Sequence, residues 1–363
     1  MNRREFVRST SFAFAGFTLS KAELPWAQSP PSDGWRTFEV TTQAEVLKPA
    51  GETKVWLPAA LIQNTPFQRT TSNRFVADGG QAKLVESNNP AALGMVVATF
   101  PADAKPVLIL TSQVSLKNYS VDLSKPGNAQ PESKAELQYF LQPHKNVPTD
   151  GIVKAKATEI TKGANTDVEK ARAIYEWIVD NTFRDPKVKG CGRGDISAML
   201  ETGYLGGKCA DLNALYVGLA RASGLPARDV YGIRVAKSTL GYNSLGASSE
   251  KVTKAQHCRA EVYLTQFGWV PVDPADVRKV VLEEPPGNRP LSDEMVTSAR
   301  KRLFGSWEMN WMAYNFAQDV ELPGSSGTTL PFLMYPQAQT AEGRLDSLDP
   351  DNFKYEITAR ELS

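Results

Sequence analysis

The sequence has no charge of either sign in excess. Its 363 residues carry 41 lysines and arginines against 40 aspartates and glutamates, a formal net charge of +1. That balance excludes the basic surplus that draws a chain to nucleic acid, and electrostatics names no partner. No apolar run approaches the roughly 20 residues that cross a bilayer, so no integral membrane span is expected in the mature chain. There is no internal repeat. Disorder-prone composition is also lacking, since hydrophobic residues make up 41% and charged residues 22%, as in an ordinary soluble globular protein. Histidine occurs twice and cysteine three times, at Cys191, Cys209 and Cys258. The odd cysteine count excludes a fully paired disulfide framework, so at least one thiol is free or pairs outside the chain.

What is present begins with an address. Asn2, Arg3, Arg4, Glu5, Phe6, Val7 and Arg8 have the form of a twin-arginine export motif, followed by a weakly apolar stretch from Ser9 to Leu19 and a polar turn from Lys21 to Gln28. Cleavage is expected after Ala22 or Ala27, which removes residues 1–29 from the fold and places the mature chain in the periplasm or otherwise outside the cytoplasm. Passengers of this route fold before leaving the reducing cytoplasm, which would let a buried or catalytic thiol survive export. The remainder suits two domains and a trailing element.

Residues 30–123 alternate as half-buried strands do, around Phe38 and Val40, Lys54 to Leu57, Met95 to Phe100 and Val107 to Leu116, with turn formers between them. An antiparallel β-sandwich is expected there. Residues 124–149 begin with a Pro, Gly, Asn and Ser-rich stretch and are expected to be a linker. The period then changes. Ala171, Ile174, Tyr175, Ile178 and Val179 fall at helical spacing with Thr166 or Asp167 as cap. A second helix carries Leu212, Leu215, Tyr216, Leu219 and Ala220, with Gly224 and Pro226 as stop signals. Strands follow from Val230 to Val235, His257 to Leu264 and Trp269 to Val272, so residues 150–284 are α+β. Residues 285–363 are expected to pack on this core, with Trp307, Trp311, Tyr314 and Phe316 buried and Leu330 to Tyr335 a strand.

Cys209 sits in the first turn of the second helix, where unpaired N–H groups and the helix dipole stabilise a thiolate. Gly206 and Gly207 before it are expected to clear the approach for a substrate backbone. His257 opens a strand whose alternate residues Arg259, Glu261 and Tyr263 share its face, while Cys258, Ala260, Val262 and Leu264 face an apolar layer. Asp273 closes the returning strand. A hairpin turn centred near Thr265 sets Asp273 opposite His257, and one centred between Gln266 and Phe267 sets it opposite Ala260; the sequence leaves both open. Taken singly, each residue has a plain alternative: a buried structural cysteine, a surface histidine, an aspartate that starts a turn before Pro274.

Together they carry a resemblance. Gly207 to Asp211, with the run Ala220 to Arg228, resembles the nucleophile segment of transglutaminase-like proteins. His257 with Glu261, Val262 and Tyr263 resembles that family's His strand, and Gly268 to Pro274 its Asp strand, in the family's order. The match spans about residues 150 to 280. It departs from the pattern at Cys258 and Arg259, where an aromatic often follows the histidine, and the calcium sites of the animal enzymes have no counterpart.

The resemblance implies an α+β, papain-like transglutaminase core preceded by an antiparallel β-sandwich. It implies acyl transfer with Cys209 as nucleophile, His257 as general base and Asp273 as orienting carboxylate, without metal or cofactor. Peptide or isopeptide hydrolysis is favoured over transamidation, on a protein or peptide substrate such as a cell-wall peptide. The alternative is a noncatalytic module that binds protein or cell-wall peptide. A metal site made of Cys191, Cys209, His257 and Cys258 is disfavoured because neighbours in a strand point to opposite faces. Substrate and oligomeric state are not encoded legibly.

Overall fold

The computed structural model describes residues 34–125, 127 and 129–362. The expected export segment, residues 1–29, lies outside them. In the first strand, Arg36–Val46, Phe38, Val40, Ala44 and Val46 are buried while the residues between them are more exposed. This alternation puts one face of a sheet into a core and leaves the other wet. The strand lies in a four-stranded antiparallel sheet in the order Phe353–Glu361, Arg36–Val46, Val107–Leu116, Gln68–Ala77. A five-stranded sheet packs against it in the order Gly343–Arg344, Gln337–Thr340, Thr53–Pro58, Gly94–Phe100, Gln81–Glu86. Val55, Leu57, Val96, Ala98, Phe100, Leu108, Leu110 and Phe353 fill the space between the two sheets. This is the β-sandwich that precedes the helical half.

Three of its strands come from the end of the chain. The C-terminal segment therefore does not pack as one unit on the helical half. Its early part does: Trp311–Asn315 pairs with Ala227–Arg234, while Gln337–Thr340 and Phe353–Glu361 cross back to the sandwich. The physical reason is edge pairing, since Arg36–Val46 would otherwise present unpaired N–H and C=O groups on one side. The expected linker also carries structure, a short helix Lys134–Tyr139 capped by the Ser133 hydroxyl.

In the second half, Asp167–Asn181 forms a helix whose inward residues are Ala171, Ile174, Tyr175, Ile178 and Val179. Thr166 and Glu169 close a reciprocal capping box at its start. The helix Cys209–Ala222 is buried on every side. One face lies on the strand Gln256–Leu264, and the helices Gly151–Ile160 and Asp167–Asn181 cover the rest. The sheet beneath runs Gly268–Val272, Gln256–Leu264, Ala227–Arg234, Trp311–Asn315, all antiparallel. The hairpin turns at Gln266, with Ala260 facing Val272 and Leu264 facing Gly268. This register lies between the two that the sequence left open.

The polar side of the His strand is not solvated, because every residue from His257 to Leu264 is buried. Arg228 bonds Glu261 at 2.8 Å and lies over the rings of Trp269 and Phe316, while Arg259 lies over Trp311 and donates to the Glu308 carbonyl. Trp307, Trp311, Tyr314 and Phe316 are core residues, as their composition predicts.

Candidate active site

Cys209 is the first residue of its helix. Its own N–H donates to no described group, while the next N–H, of Ala210, donates to the Cys191 carbonyl at 2.9 Å. Asp211 fixes this corner. One carboxylate oxygen accepts from the Lys208 N–H and the other from the Arg193 and Gly194 N–H groups, each at 2.9 Å. The glycines are explained by the same carboxylate. A Cβ on Gly192, at φ +94°, would stand 1.9 Å from an Asp211 oxygen, and one on Gly207 would stand 2.5 Å from the Asp211 Cβ. A Cβ on Gly206 would meet the Phe183 ring at 2.4 Å. The glycine pair expected to open a path for substrate instead makes room for protein.

His257 and Asp273 meet. His257 Nε2 bonds Asp273 Oδ2 at 2.7 Å, and both side chains are buried. The other ring nitrogen makes no hydrogen bond among the described residues, and Cys209 lines the same cleft as the imidazole and Cys191. Asp273 has a second duty: its Oδ1 accepts from the Asp276 N–H at 3.1 Å, capping the helix Pro274–Glu283, and from the Asn213 side chain at 3.3 Å. Asn213 also holds the Cys258 carbonyl at 2.8 Å, which ties the helix Cys209–Ala222 to the His strand. Trp311, from the C-terminal segment, donates its indole N–H to the His257 carbonyl at 2.8 Å. The other histidine, His144, bonds Asp319 at 3.1 Å and takes no part here.

Charge shapes the protonation states. Cys209 is held well below the ordinary thiol range by its contacts with the thiols of Cys191 and Cys258, then by His257, against the opposing effect of burial. Cys191 is driven well up by its contact with Cys209, and Cys258 by burial first and Cys209 second. Burial pulls the imidazole of His257 down, but the charges of Asp276 and Asp273 outweigh it against Arg234 and leave it raised. Both shifts run in the direction of a thiolate and an imidazolium.

Asp276 and Arg234 were not singled out from the sequence. Arg234 grips Asp276 at 2.6 and 2.9 Å, and Asp276 lies 3.4 Å from His257 Nε2. Burial opposes ionisation of Asp276, but Arg234 and then His257 prevail and hold it well below the usual carboxylate range. Nothing in the local pattern of either residue marks it, because only the folded sheet brings the strand end to the helix start. His257, Asp273 and Asp276 place ligand atoms within 4.8 Å of one another, the spacing of a metal site. Arg234 already neutralises one carboxylate and Arg259 Nε lies 3.7 Å from the other, so two fixed cations occupy the place a metal ion would need.

Cys191, Cys209 and His257 line a cleft of about 780 Å³. One wall is the loop ahead of the His strand, with Gly246, Lys251 and Lys254, and the opposite wall is the C-terminal segment, with Tyr335, Leu348, Phe353 and Tyr355. Such a group can form a thioester: a thiol of lowered pKa at a cleft, an imidazole on the same cleft and a carboxylate that fixes the imidazole.

The family described as the transglutaminase-like superfamily matches residues 154–274, which contain Cys209, His257 and Asp273. An uncharacterized protein of Haemophilus influenzae is 35% identical over 345 residues, covering 90% of this chain and 91% of that one. A candidate cysteine protease from Cytophaga hutchinsonii superposes over 90% of this chain and 98% of its own, at TM-score 0.50 and 15% identity. The periplasmic domain of TgpA from Pseudomonas aeruginosa covers 69% of this chain and 90% of its own, at TM-score 0.37 and 15% identity. The Cytophaga protein thus shares the fold across both halves. Residues 154–274 of the chain belong to the transglutaminase-like superfamily.

Proposed function

We propose that the protein is a thiol-dependent amidase that hydrolyses peptide or isopeptide amides through a Cys209 thioester. The observation that carries this is that Cys209 and His257 line one cleft, with His257 Nε2 held 2.7 Å from the buried Asp273 carboxylate. The thiolate attacks the amide carbonyl and an S–C bond forms, the oxyanion being met by the unpartnered N–H of Cys209. His257 gives its proton to the leaving amine as the C–N bond breaks. Water then enters, His257 takes one of its protons, and the acid leaves as the thiolate is restored. Asp273 supports the imidazolium between these steps. Water is favoured over an amine acceptor because the cleft lining is rich in lysine and arginine, which repel the ammonium group of a lysine side chain.

The test is labelling by iodoacetamide against pH, with the modified cysteine identified by mass spectrometry. Cys209 should react below neutral pH and faster than Cys191 or Cys258, and His257→Ala should weaken that reactivity and abolish amide turnover. Equal, slow labelling of all three, untouched by His257→Ala, would leave a noncatalytic binding module. We further propose that the mature chain acts outside the cytoplasm, starting near residue 23 or 28. Lysine at both Arg3 and Arg4 should trap the precursor inside, and unchanged export would remove the twin-arginine assignment.

A further inference from the structure

The whole chain is nearly neutral at +1, but its cleft is not. Arg184, Lys189, Lys208, Lys251, Lys254 and Lys279 line it, together with Arg234, against a single carboxylate, Asp346. Some of these cations are answered nearby: Arg234 by Asp276, Arg184 and Lys279 by Glu283, Lys251 by Glu356. Lys189, Lys208 and Lys254 make no ion pair among the described residues. Each stands just ahead of a residue at the thiol. Lys189 precedes the Gly190–Cys191 step, Lys208 precedes Cys209, and Lys254 lies shortly before His257. Lys189 and Lys254 are exposed and Lys208 is half-buried.

We infer that the cleft selects a peptide carrying carboxylates beside the scissile amide, an inference that rests on the proposed role of Cys209. A concave surface lined by one sign of charge focuses its field into the opening, so an anionic segment is concentrated there and held in place over the thiol. A neutral peptide gains nothing from these three lysines, and a cationic one is turned away. The Asp276 carboxylate does not cancel the effect, because it is buried and engaged by Arg234 and His257.

The test uses the full chain and two small alkylating agents of nearly equal size, iodoacetate and iodoacetamide. Both form an S–C bond and release iodide, so the thiolate fraction of Cys209 cancels in the ratio of their rates. With 2-mercaptoethanol as the reference thiol, the iodoacetate to iodoacetamide ratio at Cys209 should be higher by about 3- to 10-fold at low salt and should fall toward the reference at high salt. Lys189→Glu combined with Lys254→Glu, both on exposed side chains, should lower the ratio. A ratio no higher than that of the reference thiol, or one indifferent to the two substitutions, overturns the inference. Slow labelling by both reagents counts against the nucleophile instead, while their ratio still reports the field. Excess hexaglutamate should slow alkylation of Cys209 by iodoacetamide where hexaglutamine does not; equal protection by both would also overturn the preference for carboxylates.

Discussion

Asp273 does two things with two oxygens, and that division makes its functional part separable. Oδ2 holds His257 at 2.7 Å while Oδ1 caps the helix Pro274–Glu283. Asparagine is as good a cap as aspartate, so Asp273→Asn should keep the helix start yet lower kcat by about 10²- to 10⁴-fold, because the amide no longer supports the imidazolium. Asp273→Ala loses the cap as well and should cost about 1 kcal/mol more in denaturant unfolding. From the sequence, a turn-starting aspartate and an orienting carboxylate stood as alternatives, and in the fold one side chain both caps the helix and holds His257. Asp276 yields a pH prediction. Its folded pKa is depressed, so the stability it contributes is present above the ordinary carboxylate value of about 3.9 and is lost as pH falls through the folded value. Asp276→Asn leaves Arg234 buried without its counter-charge and should cost about 3–5 kcal/mol near neutrality, a gap that narrows below about pH 4 in urea titrations. Cys191 is held by the fold: its thiol donates to the Gln256 carbonyl at 3.4 Å, and serine there keeps that donor, so Cys191→Ser should leave amide turnover largely intact.

At the scale of elements, the corner before the helix Cys209–Ala222 is held by one carboxylate rather than by the glycines alone. Asp211 joins the Arg193–Gly194 turn to Lys208 through three backbone N–H groups, so Asp211→Ala should destabilise the fold by about 2–3 kcal/mol in denaturant titrations. It should also slow low-pH alkylation of Cys209, since the Cys191 thiol is carried by the freed loop. Helix boundaries were legible because their signals are local: the Thr166 and Glu169 box and the left-handed Gly224 both act within one turn. The hairpin register was not legible. It turns on Gln266 at φ +74°, a conformation a non-glycine residue seldom takes, and no local pattern singles out Gln266 over its neighbours. The burial of Arg259 and Glu261 was hidden for another reason, because their partners come from distant residues, the rings of Trp307 and Trp311 for Arg259 and the Arg228 guanidinium for Glu261.

Across the whole molecule, the alternation of Phe353, Tyr355, Ile357 and Ala359 is as plain as that of the first strand, but its partner lies at the other end of the chain. Sequence periodicity gives a strand and a buried face; it does not say which edge the strand completes. The consequence is that the halves are interlocked rather than joined by a tether. Phe353–Glu361 pairs along nine residue positions with the first strand, from Val46 opposite Phe353 to Phe38 opposite Glu361. Gln68, in the sandwich, exchanges two hydrogen bonds with the backbone of Ala313 in the sheet beneath the helix Cys209–Ala222, at 2.7 and 3.0 Å, and is fully buried. Phe38, Val40 and Val114 belong to the same buried cluster as Leu212 and Val262. Cutting the chain in the Pro and Gly-rich stretch between residues 124 and 131 should therefore not free the sandwich, because the downstream fragment keeps the strands that complete it. A protease site inserted there, cut to completion, should give two fragments that co-elute in gel filtration and retain rapid labelling of Cys209. Removal of residues 353–363 from the same nicked protein should expose the edge at Arg36–Val46 and take away the Phe353 and Tyr355 wall of the cleft, so that the fragments separate or aggregate. Separation of the fragments by nicking alone would show that the returning strands do not hold the halves together, and the sandwich would then be an independent domain.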